Sequence, residues 1–215
     1  MKTQLKFIVA VMLFTSCAHE SNQTASLLQE SSLAIQAETI VQPSVGDTLG
    51  EFIHTKYIHS EGSNYQLVIE NSFPKGGFSY TDTHGNALAY VVFWTRITNK
   101  GSSPIDLHLD FPASTFELHS SPGINFKIYM PLDTMDVRRA PLENYGLNNI
   151  ESLLDDNLDK GSSRTYAIAP KQSHAFYAVV LTSSRINGTV RAGLKLDGRK
   201  AFYSVNGVEV PCGSF

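Results

Sequence analysis

The segment Leu88-Ala-Tyr-Val-Val-Phe-Trp-Thr-Arg-Ile-Thr98 decides the fold that this sequence predicts. Its first seven residues are apolar at odd and even positions alike, so both faces of a strand built from them would avoid water. A strand that is buried on both faces is typical of the centre of a sheet. We therefore predict a central strand here, with Trp94 in the middle of the core.

Short segments separated by turn signals surround this strand. Thr83-His-Gly-Asn86 is a polar turn that contains glycine, which predicts a hairpin with the segment Phe78–Asp82. On the other side, Ile105–Phe111 has an apolar side chain at every second position. The remaining predicted strands are Tyr65–Glu70, Thr115–His119, Asn125–Met130, Arg164–Ala169, His174–Thr182, Thr189–Leu196 and Lys200–Val205. This pattern predicts an all-β fold, an antiparallel β-sandwich.

One helix interrupts the predicted strands, over residues 148–160. Asn148 and Glu151 have the spacing of a capping box, and Gly161 is a suitable stop. The apolar side chains at helical spacing are Leu147, Ile150, Leu154 and Leu158. We expect a crossover helix packed over one end of the sandwich.

The N-terminus has the charge order of a secretory signal. Lys2 and Lys6 precede the short apolar run Phe7–Phe14. The stretch Leu13-Phe-Thr-Ser-Cys17 resembles the lipobox of bacterial lipoproteins. That resemblance implies a signal peptide over residues 1–16 and a lipid on Cys17, with the protein anchored in the bacterial cell envelope, for which we expect the outer membrane.

An ordinary secretory signal cut near Ser16 or Ala18 is the alternative, in which Cys17 has no special role. After Cys17 the longest apolar run is Ala87–Trp94, far short of the about 20 residues that a spanning helix needs. Membrane attachment would therefore depend on the lipid.

The chain between the signal and the sandwich lacks large side chains. Residues 18–50 contain no Phe, Tyr or Trp and are rich in Ser, Gln, Glu, Thr and Ala. Such a segment cannot offset its ordering entropy by burial. We predict a flexible tether over residues 17–55 and one sandwich domain over residues 56–215.

Composition excludes several classes of function. The formal net charge of −3 is too weak and of the wrong sign to predict nucleic-acid binding. Two cysteines exclude a disulfide-dense scaffold and a four-thiolate metal site. We expect no cofactor, and we expect Cys212 to be a buried, inert thiol; a Cys17–Cys212 bridge is the alternative.

Two turn motifs carry a second resemblance. Thr98-Asn-Lys-Gly-Ser-Ser-Pro104 followed by an alternating strand, and later Pro170-Lys-Gln-Ser-His-Ala-Phe176, resemble exported bacterial immunoglobulin-like domains. The resemblance covers the pattern of about residues 60–205 and implies an immunoglobulin-like sandwich. It implies no activity, because these motifs serve turns.

Two groups of polar residues are candidates for metal binding. Asp106, His108 and Asp110 share one face of a strand, and His119 is placed on a possible neighbour, so a cation such as Zn²⁺ could be held. A solvated outer face explains the same pattern. The run Asp155–Gly161 resembles a calcium loop superficially, but the predicted helix uses these residues better.

The segment Met130–Pro141 is the strongest candidate for ligand or partner binding. It is a long loop that carries Asp133, Asp136, Arg138 and Arg139. The two arginines could clamp a carboxylate or phosphate, or they could pair with the two aspartates.

We therefore expect a non-catalytic envelope lipoprotein whose sandwich binds a protein or glycan or helps to assemble an envelope complex. The Gly-x-Ser-x-Gly, His-Glu-x-x-His, P-loop and dinucleotide fingerprints do not occur in the sequence. One alternative is a metal-dependent or small-molecule enzyme that uses the Asp106, His108 and Asp110 face. Another is an exported protease inhibitor that acts through the loop at 130–141.

Overall fold

The computed structural model describes residues 49–62 and 65–215 of the chain. The predicted signal peptide, Cys17 and most of the predicted tether lie outside these residues. The strands of the described part are β1 (Ile53–Glu61), β2 (Tyr65–Ser72), β3 (Lys75–Thr81), β4 (Ala87–Asn99), β5 (Ile105–Phe111), β6 (Phe116–Leu118), β7 (Ser121–Tyr129), β8 (Ser162–Ile168), β9 (Ser173–Thr182), β10 (Ala192–Asp197), β11 (Lys200–Val205) and β12 (Val208–Ser214), and the α-helix α1 is Ile150–Asp155. A search of the described residues finds no helix with the length and apolar character needed to span a membrane.

The strands form two antiparallel sheets, which confirms the prediction of an all-β sandwich. The larger sheet has seven strands in the order β1-β2-β4-β9-β7-β6, with β3 also paired to β4. The smaller sheet has five strands in the order β10-β11-β12-β5-β8. As predicted, β4 is central: β2 and β3 share one of its edges, and β9 runs along the other. The immunoglobulin-like resemblance stays a prediction.

Every strand predicted from the sequence is present, and two strands were not predicted. The first is β1, which begins at Ile53 and follows a 3-10 turn at Leu49–Phe52, so the sandwich takes in residues that the sequence pattern placed in the tether. The second is β12, which contains Pro211 and Gly213, two residue types that strands usually avoid. Gly213 has φ +141°, and a Cβ there would lie 1.9 Å from the carbonyl oxygen of His108 on β5. Glycine therefore lets β12 approach β5 closely enough to pair with it.

The inner core lies between the two sheets and is mainly aliphatic and phenylalanine. Alternate residues of β5 face it, as the sequence predicted, and Phe93 of β4 enters it from the larger sheet. Its most fully buried members include Leu67, Ile69, Leu109, Phe111, Phe126, Ala178, Val180, Leu194, Tyr203 and Val205.

A second, outer core covers the opposite face of the larger sheet. It is closed by residues 131–161, which we call the cover segment, together with the aromatic side chains that the sheet presents to it. Trp94 is fully buried in this outer core, packed edge-on against Tyr145. The prediction that β4 is buried on both faces is therefore confirmed, but Trp94 lies outside the space between the sheets, where Phe93 lies instead.

The predicted helix is shorter than expected and lies elsewhere. The helix α1 spans six residues and packs on the outer face of the larger sheet instead of over one end of the sandwich. The capping-box prediction was wrong, because Asn149 caps the helix in a left-handed conformation and makes no side-chain capping bond. After α1 the chain turns, and the carbonyl groups of Asn157 and Leu158 accept hydrogen bonds from Lys127 of β7.

Candidate functional site

Two lysines of the larger sheet hold the cover segment in place. Nζ of Lys75 donates to the carbonyl oxygens of Ala140 at 2.6 Å and Leu142 at 2.7 Å. On β7, which lies beyond β4 and β9 from β3 on the same face, Lys127 is only 4% exposed and donates to the turn that follows α1. Burial lowers the pKa of both lysines. Because an irregular segment leaves carbonyl groups without strand partners, these ammonium groups supply donors that the sheet itself cannot.

The middle of the cover segment has an unusual backbone. Asn144, Tyr145 and Asn149 have φ values of 46°, 57° and 54°, and Gly146 between them has φ 73°. Such conformations cost free energy in residues with a Cβ and persist only where the surroundings hold them.

Tyr145 shows how this backbone is held. Its side chain is fully buried, its hydroxyl donates to the carbonyl oxygen of Phe73 at 2.6 Å, and its own carbonyl accepts from the hydroxyl of Tyr177 at 2.8 Å. Nζ of Lys75 lies 4.5 Å from the centre of its ring. Together these contacts anchor the segment to β3 and β9 and hold the neighbouring residues at the surface.

Beside Tyr145 lies an open cleft of about 450 Å³, which we call the polar cleft. Tyr90 of β4 lines it, and the exposed ring of Phe78 on β3 lies 6.0 Å from the ring of Tyr90. The other lining residues are Glu143, Asn144, Leu147, Asn148, Asn149, Ile150, Glu151 and Ser152. The cleft therefore combines one tyrosine with three amides and two carboxylates, and the exposed ring of Phe78 lies beside it.

Carboxylates give the polar cleft a negative potential. Burial and then the charges of Glu151 and Glu143 raise the pKa of Tyr90, so both carboxylates lie within electrostatic range of its phenol. Tyr80, which packs edge-on against Tyr90, has its pKa raised by burial and then by the nearby acidic groups, Asp155 first among them.

One buried polar atom of the cleft residues, Oδ1 of Asn144, finds no partner among the described residues. The hydroxyl of Tyr80, which packs against Tyr90, is likewise without a partner there. A buried polar atom without a partner is costly, and water or a ligand commonly satisfies it.

The residues predicted for partner binding lie elsewhere on the cover segment, and their binding role stays a prediction. Asp136 caps the 3-10 turn Val137–Arg139, and its carboxylate accepts two hydrogen bonds from Nε of Arg138, at 3.0 and 2.9 Å. These bonds hold the pKa of Asp136 at about 2. Arg139 turns away and donates to the carbonyl of Gly146, while Asp133 is exposed. Of the two predicted roles for the arginines, pairing is the one that Arg138 takes.

The predicted metal face is an exposed strand surface. Asp106, His108 and Asp110 all point to solvent from β5, and His108 contacts Thr165 of β8 at 3.1 Å. His119 follows β6 in the larger sheet, so the expectation that it lies on a neighbouring strand was wrong. Within residues 49–62 and 65–215, His, Cys, Asp and Glu side chains do not form any group of three or more that could hold a metal ion.

Cys212 is a free thiol with 1% exposure, as the sequence led us to expect. Burial raises its pKa to about 12, so the thiolate is scarce near neutral pH.

Sequence reasoning missed the polar cleft. Its one available signal was the run Glu-Asn-Tyr-Gly-Leu-Asn-Asn over residues 143–149, because Asn and Gly are the residues that tolerate left-handed backbone. Nothing in the pattern indicated that Tyr90 and Phe78 would lie beside it.

Comparison of the chain with protein-family models, curated proteins and solved structures finds no match.

Proposed function

We propose that this protein is a non-catalytic lipoprotein of the bacterial envelope that binds a saccharide in the polar cleft. In this proposal Cys17 carries the lipid, the following segment is the tether, and the sandwich is the recognition domain. The observation that carries the binding role is the left-handed backbone at Asn144 and Asn149, which holds both residues in the lining of a cleft beside the exposed ring of Phe78.

The chemistry of the cleft favours a sugar over other small ligands. Amide and carboxylate groups make directional hydrogen bonds with hydroxyl groups, and an exposed aromatic ring offers a flat apolar surface to one face of a sugar ring. The partly exposed ring of Phe78, at 42%, is available for such contact. Because Glu143 and Glu151 lie at the rim, we expect uncharged or amino-bearing saccharides to bind and acidic saccharides to be repelled.

Binding is tested on an array of uncharged, amino-bearing and acidic saccharides, followed by calorimetry with the best binder. Replacing Phe78 or Asn148 with Ala should each weaken binding about tenfold, because each removes one contact to the sugar. Ile58→Ala is the matched control, since Ile58 is exposed at 63% on β1, away from the polar cleft.

Two results would contradict this proposal. The first is an array on which no saccharide binds the unmodified chain better than the Phe78→Ala variant. The second is a preferred binder that is acidic. If Glu143→Gln and Glu151→Gln abolish binding while Phe78→Ala has no effect, a cationic partner such as a basic protein segment is the ligand instead.

The lipid anchor is tested separately from binding. The mass of the membrane-extracted protein should exceed the mass that its amino acids dictate, and labelled palmitate should be incorporated. Cys17→Ala should abolish the incorporation. An unmodified mass would favour the ordinary secretory signal.

The enzymatic alternative has its own test. Stoichiometric zinc or copper in the purified protein, lost on His108→Ala, would favour a metal-dependent enzyme that uses the β5 face. The protease-inhibitor alternative predicts that changes at Leu132, which is 68% exposed near the start of the 130–141 segment, reduce inhibition of an exported protease.

A further inference from the structure

A second cleft, of about 320 Å³, lies at the corner where β10 of the smaller sheet meets β1 and β2 of the larger sheet. We call it the basic cleft. It is separate from the polar cleft and shares no lining residue with it. Its lining residues are His54, Thr55, Tyr57, Asn71, Arg191, Ala192, Gly193, Lys195, Ser204 and Gly207.

Hydrogen bonds between the two sheets make the floor of the basic cleft rigid. The side chain of Asn71 accepts from the backbone N–H of Leu194 at 2.9 Å and donates to its carbonyl at 3.1 Å. The hydroxyl of Tyr57 donates to the same carbonyl at 2.9 Å and accepts from the N–H of Leu196 at 3.1 Å. Gly193 leaves room for this contact, because a Cβ there would lie 2.4 Å from Cγ of Asn71. These side chains satisfy backbone groups along β10, the edge strand of the smaller sheet. The residues at the rim of the cleft therefore stand on rigid backbone.

The charges of the rim all have one sign. His54, Arg191 and Lys195 contribute basic groups, and none of the described lining residues is acidic, although the chain as a whole carries more acidic than basic residues. Lys195 is partly neutralised by Glu209, which it contacts at 2.9 Å on the exposed surface. His54 and Arg191 are therefore the principal basic groups of the cleft.

An aromatic ring positions both of these groups. The guanidinium carbon of Arg191 lies 5.3 Å from the ring centre of Phe73, and the imidazole of His54 lies 5.2 Å from the same centre. A guanidinium that rests on an aromatic face keeps its N–H edge free for an anion. Nearby, the hydroxyl of Thr55 accepts a hydrogen bond from the side chain of Asn71, so its own proton can be donated.

From this arrangement we infer that the basic cleft binds a phosphate group, with Arg191 as the bidentate donor, His54 as the second cation and Thr55 as a neutral donor. The volume suits a phosphate ester or a phospholipid headgroup, which present the same chemistry. The inference does not depend on the saccharide proposal, because the two clefts share no residue.

The site should also respond to pH. Burial and then the charge of Arg191 lower the pKa of His54, so the free protein disfavours protonation of its imidazole. The charged groups around it are Arg191 and, farther along β10, Lys195 with its partner Glu209. An anion between His54 and Arg191 would offset their repulsion and favour protonation of His54. Binding should therefore strengthen as the pH falls from 8 to 6.

The test uses the full chain with Cys17→Ser, so that no acyl chain contributes to binding. Inorganic sulfate, whose charge is constant between pH 6 and 8, is titrated while the His54 ring is followed by NMR. Arg191→Gln should weaken binding about tenfold, and His54→Gln should remove the pH dependence. The matched control is Arg199→Gln, because Arg199 lies over Tyr65 and Phe215 at the same 5.3 Å but outside the basic cleft.

Two further arms identify the source of the phosphate. Glycerol 3-phosphate represents a free ester, and vesicles of phosphatidylglycerol are compared with vesicles of phosphatidylcholine. Binding of either probe that is lost in Arg191→Gln and retained in Arg199→Gln supports the inference. The probe that binds more tightly indicates whether the phosphate comes from a free ester or from a lipid headgroup. The inference is overturned if no probe saturates, or if Arg199→Gln weakens binding as much as Arg191→Gln does.

Discussion

The two faces of the larger sheet are both buried, but they are buried in different ways. The inner core is covered by a second sheet, whose strands satisfy one another's backbone groups. The outer core is covered by an irregular segment whose carbonyl groups accept hydrogen bonds from the side chains of Lys75, Lys127 and Tyr177 in the sheet beneath it. Accordingly, buried tyrosines concentrate in the outer core, at positions 80, 90, 129, 145 and 177.

This difference follows from the backbone hydrogen bonds that each layer needs. A layer of strands can be packed with side chains that have no polar atoms, so Leu, Ile, Val and Phe suffice. A layer without regular structure has free carbonyl groups, and each needs a donor. Tyrosine and lysine provide an apolar body with a donor at its end, and therefore serve both requirements. We expect the outer layer to be the less stable and the more adaptable of the two.

The largest expected effects come from neighbouring residues on β4 that face opposite cores. Phe93→Ala should lower the free energy of unfolding by about 3–5 kcal/mol, measured by urea denaturation, because it leaves a cavity in the inner core. Trp94→Ala should cost a similar amount in the outer core. Hydrogen exchange should separate the two: Phe93→Ala should reduce protection in both sheets, whereas Trp94→Ala should reduce it mainly in the cover segment. Equal loss of protection in β5 for both variants would show that the two cores unfold as one unit.

The same contrast explains how much of the fold could be predicted from the sequence. The alternation in Ile105–Phe111 and the two-sided run before Trp94 indicated strands because period-two burial leaves a direct mark on sequence. The outer layer has no such period. Leu147, Ile150 and Leu154 did indicate a buried helical face, but nothing local showed which sheet face it would cover.

A smaller effect is expected at Lys127, which joins the outer layer to β7. Lys127→Met keeps the apolar stem but removes the ammonium that binds the carbonyl groups of Asn157 and Leu158. Leaving these groups without a donor should lower the free energy of unfolding by about 1–3 kcal/mol. Lys195→Met is the control, since the exposed pair with Glu209 should contribute under about 1 kcal/mol. Equal effects of the two substitutions would mean that Lys127 does not hold the cover segment.

The polar cleft could not be predicted for the same reason that the cover segment could not. Tyr90 in its lining comes from β4, Phe78 beside it comes from β3, and its amides come from residues more than fifty positions after Tyr90, so only the packing of the outer layer brings them together. The site predicted at Asp133, Asp136, Arg138 and Arg139 was chosen because it is a long loop with two carboxylates and two arginines, and its binding role stays a prediction. In the fold Asp136 and Arg138 pair with each other within a short turn, and Arg139 donates to the carbonyl of Gly146.

A pH-dependent effect on the stability of the fold is expected at the rim of the inner core. His174 stacks on Tyr166 with ring centres 4.1 Å apart, and burial followed by the charge of Arg164 lowers its pKa. The unfolded chain therefore takes up a proton near pH 6.5 that the folded chain resists, so stability should fall as the pH drops below about 6.5. His174→Gln should reduce this pH dependence of the free energy of unfolding, measured by urea denaturation at pH 5 to 7.5. His54→Gln should flatten it less, because His54 is less deeply buried.

The smallest effect is expected on the exposed surface of the cover segment, at Asp136. Its folded pKa of about 2, set chiefly by the hydrogen bonds from Arg138, lies below the value of about 3.9 in an unfolded chain. The pair therefore stabilises the turn above about pH 4, and this contribution disappears as the pH falls toward 2. NMR titration of the Asp136 carboxyl carbon should give a midpoint near 2, and Arg138→Gln should move that midpoint up toward the usual range. Neither change should measurably alter hydrogen exchange in β5, because the pair is solvent-exposed. A midpoint that stays near 2 in Arg138→Gln would mean that the backbone of the turn alone sets the ionisation of Asp136. The side-chain pair would then add nothing to the turn, and the buried lysines and tyrosines would hold the outer layer without it.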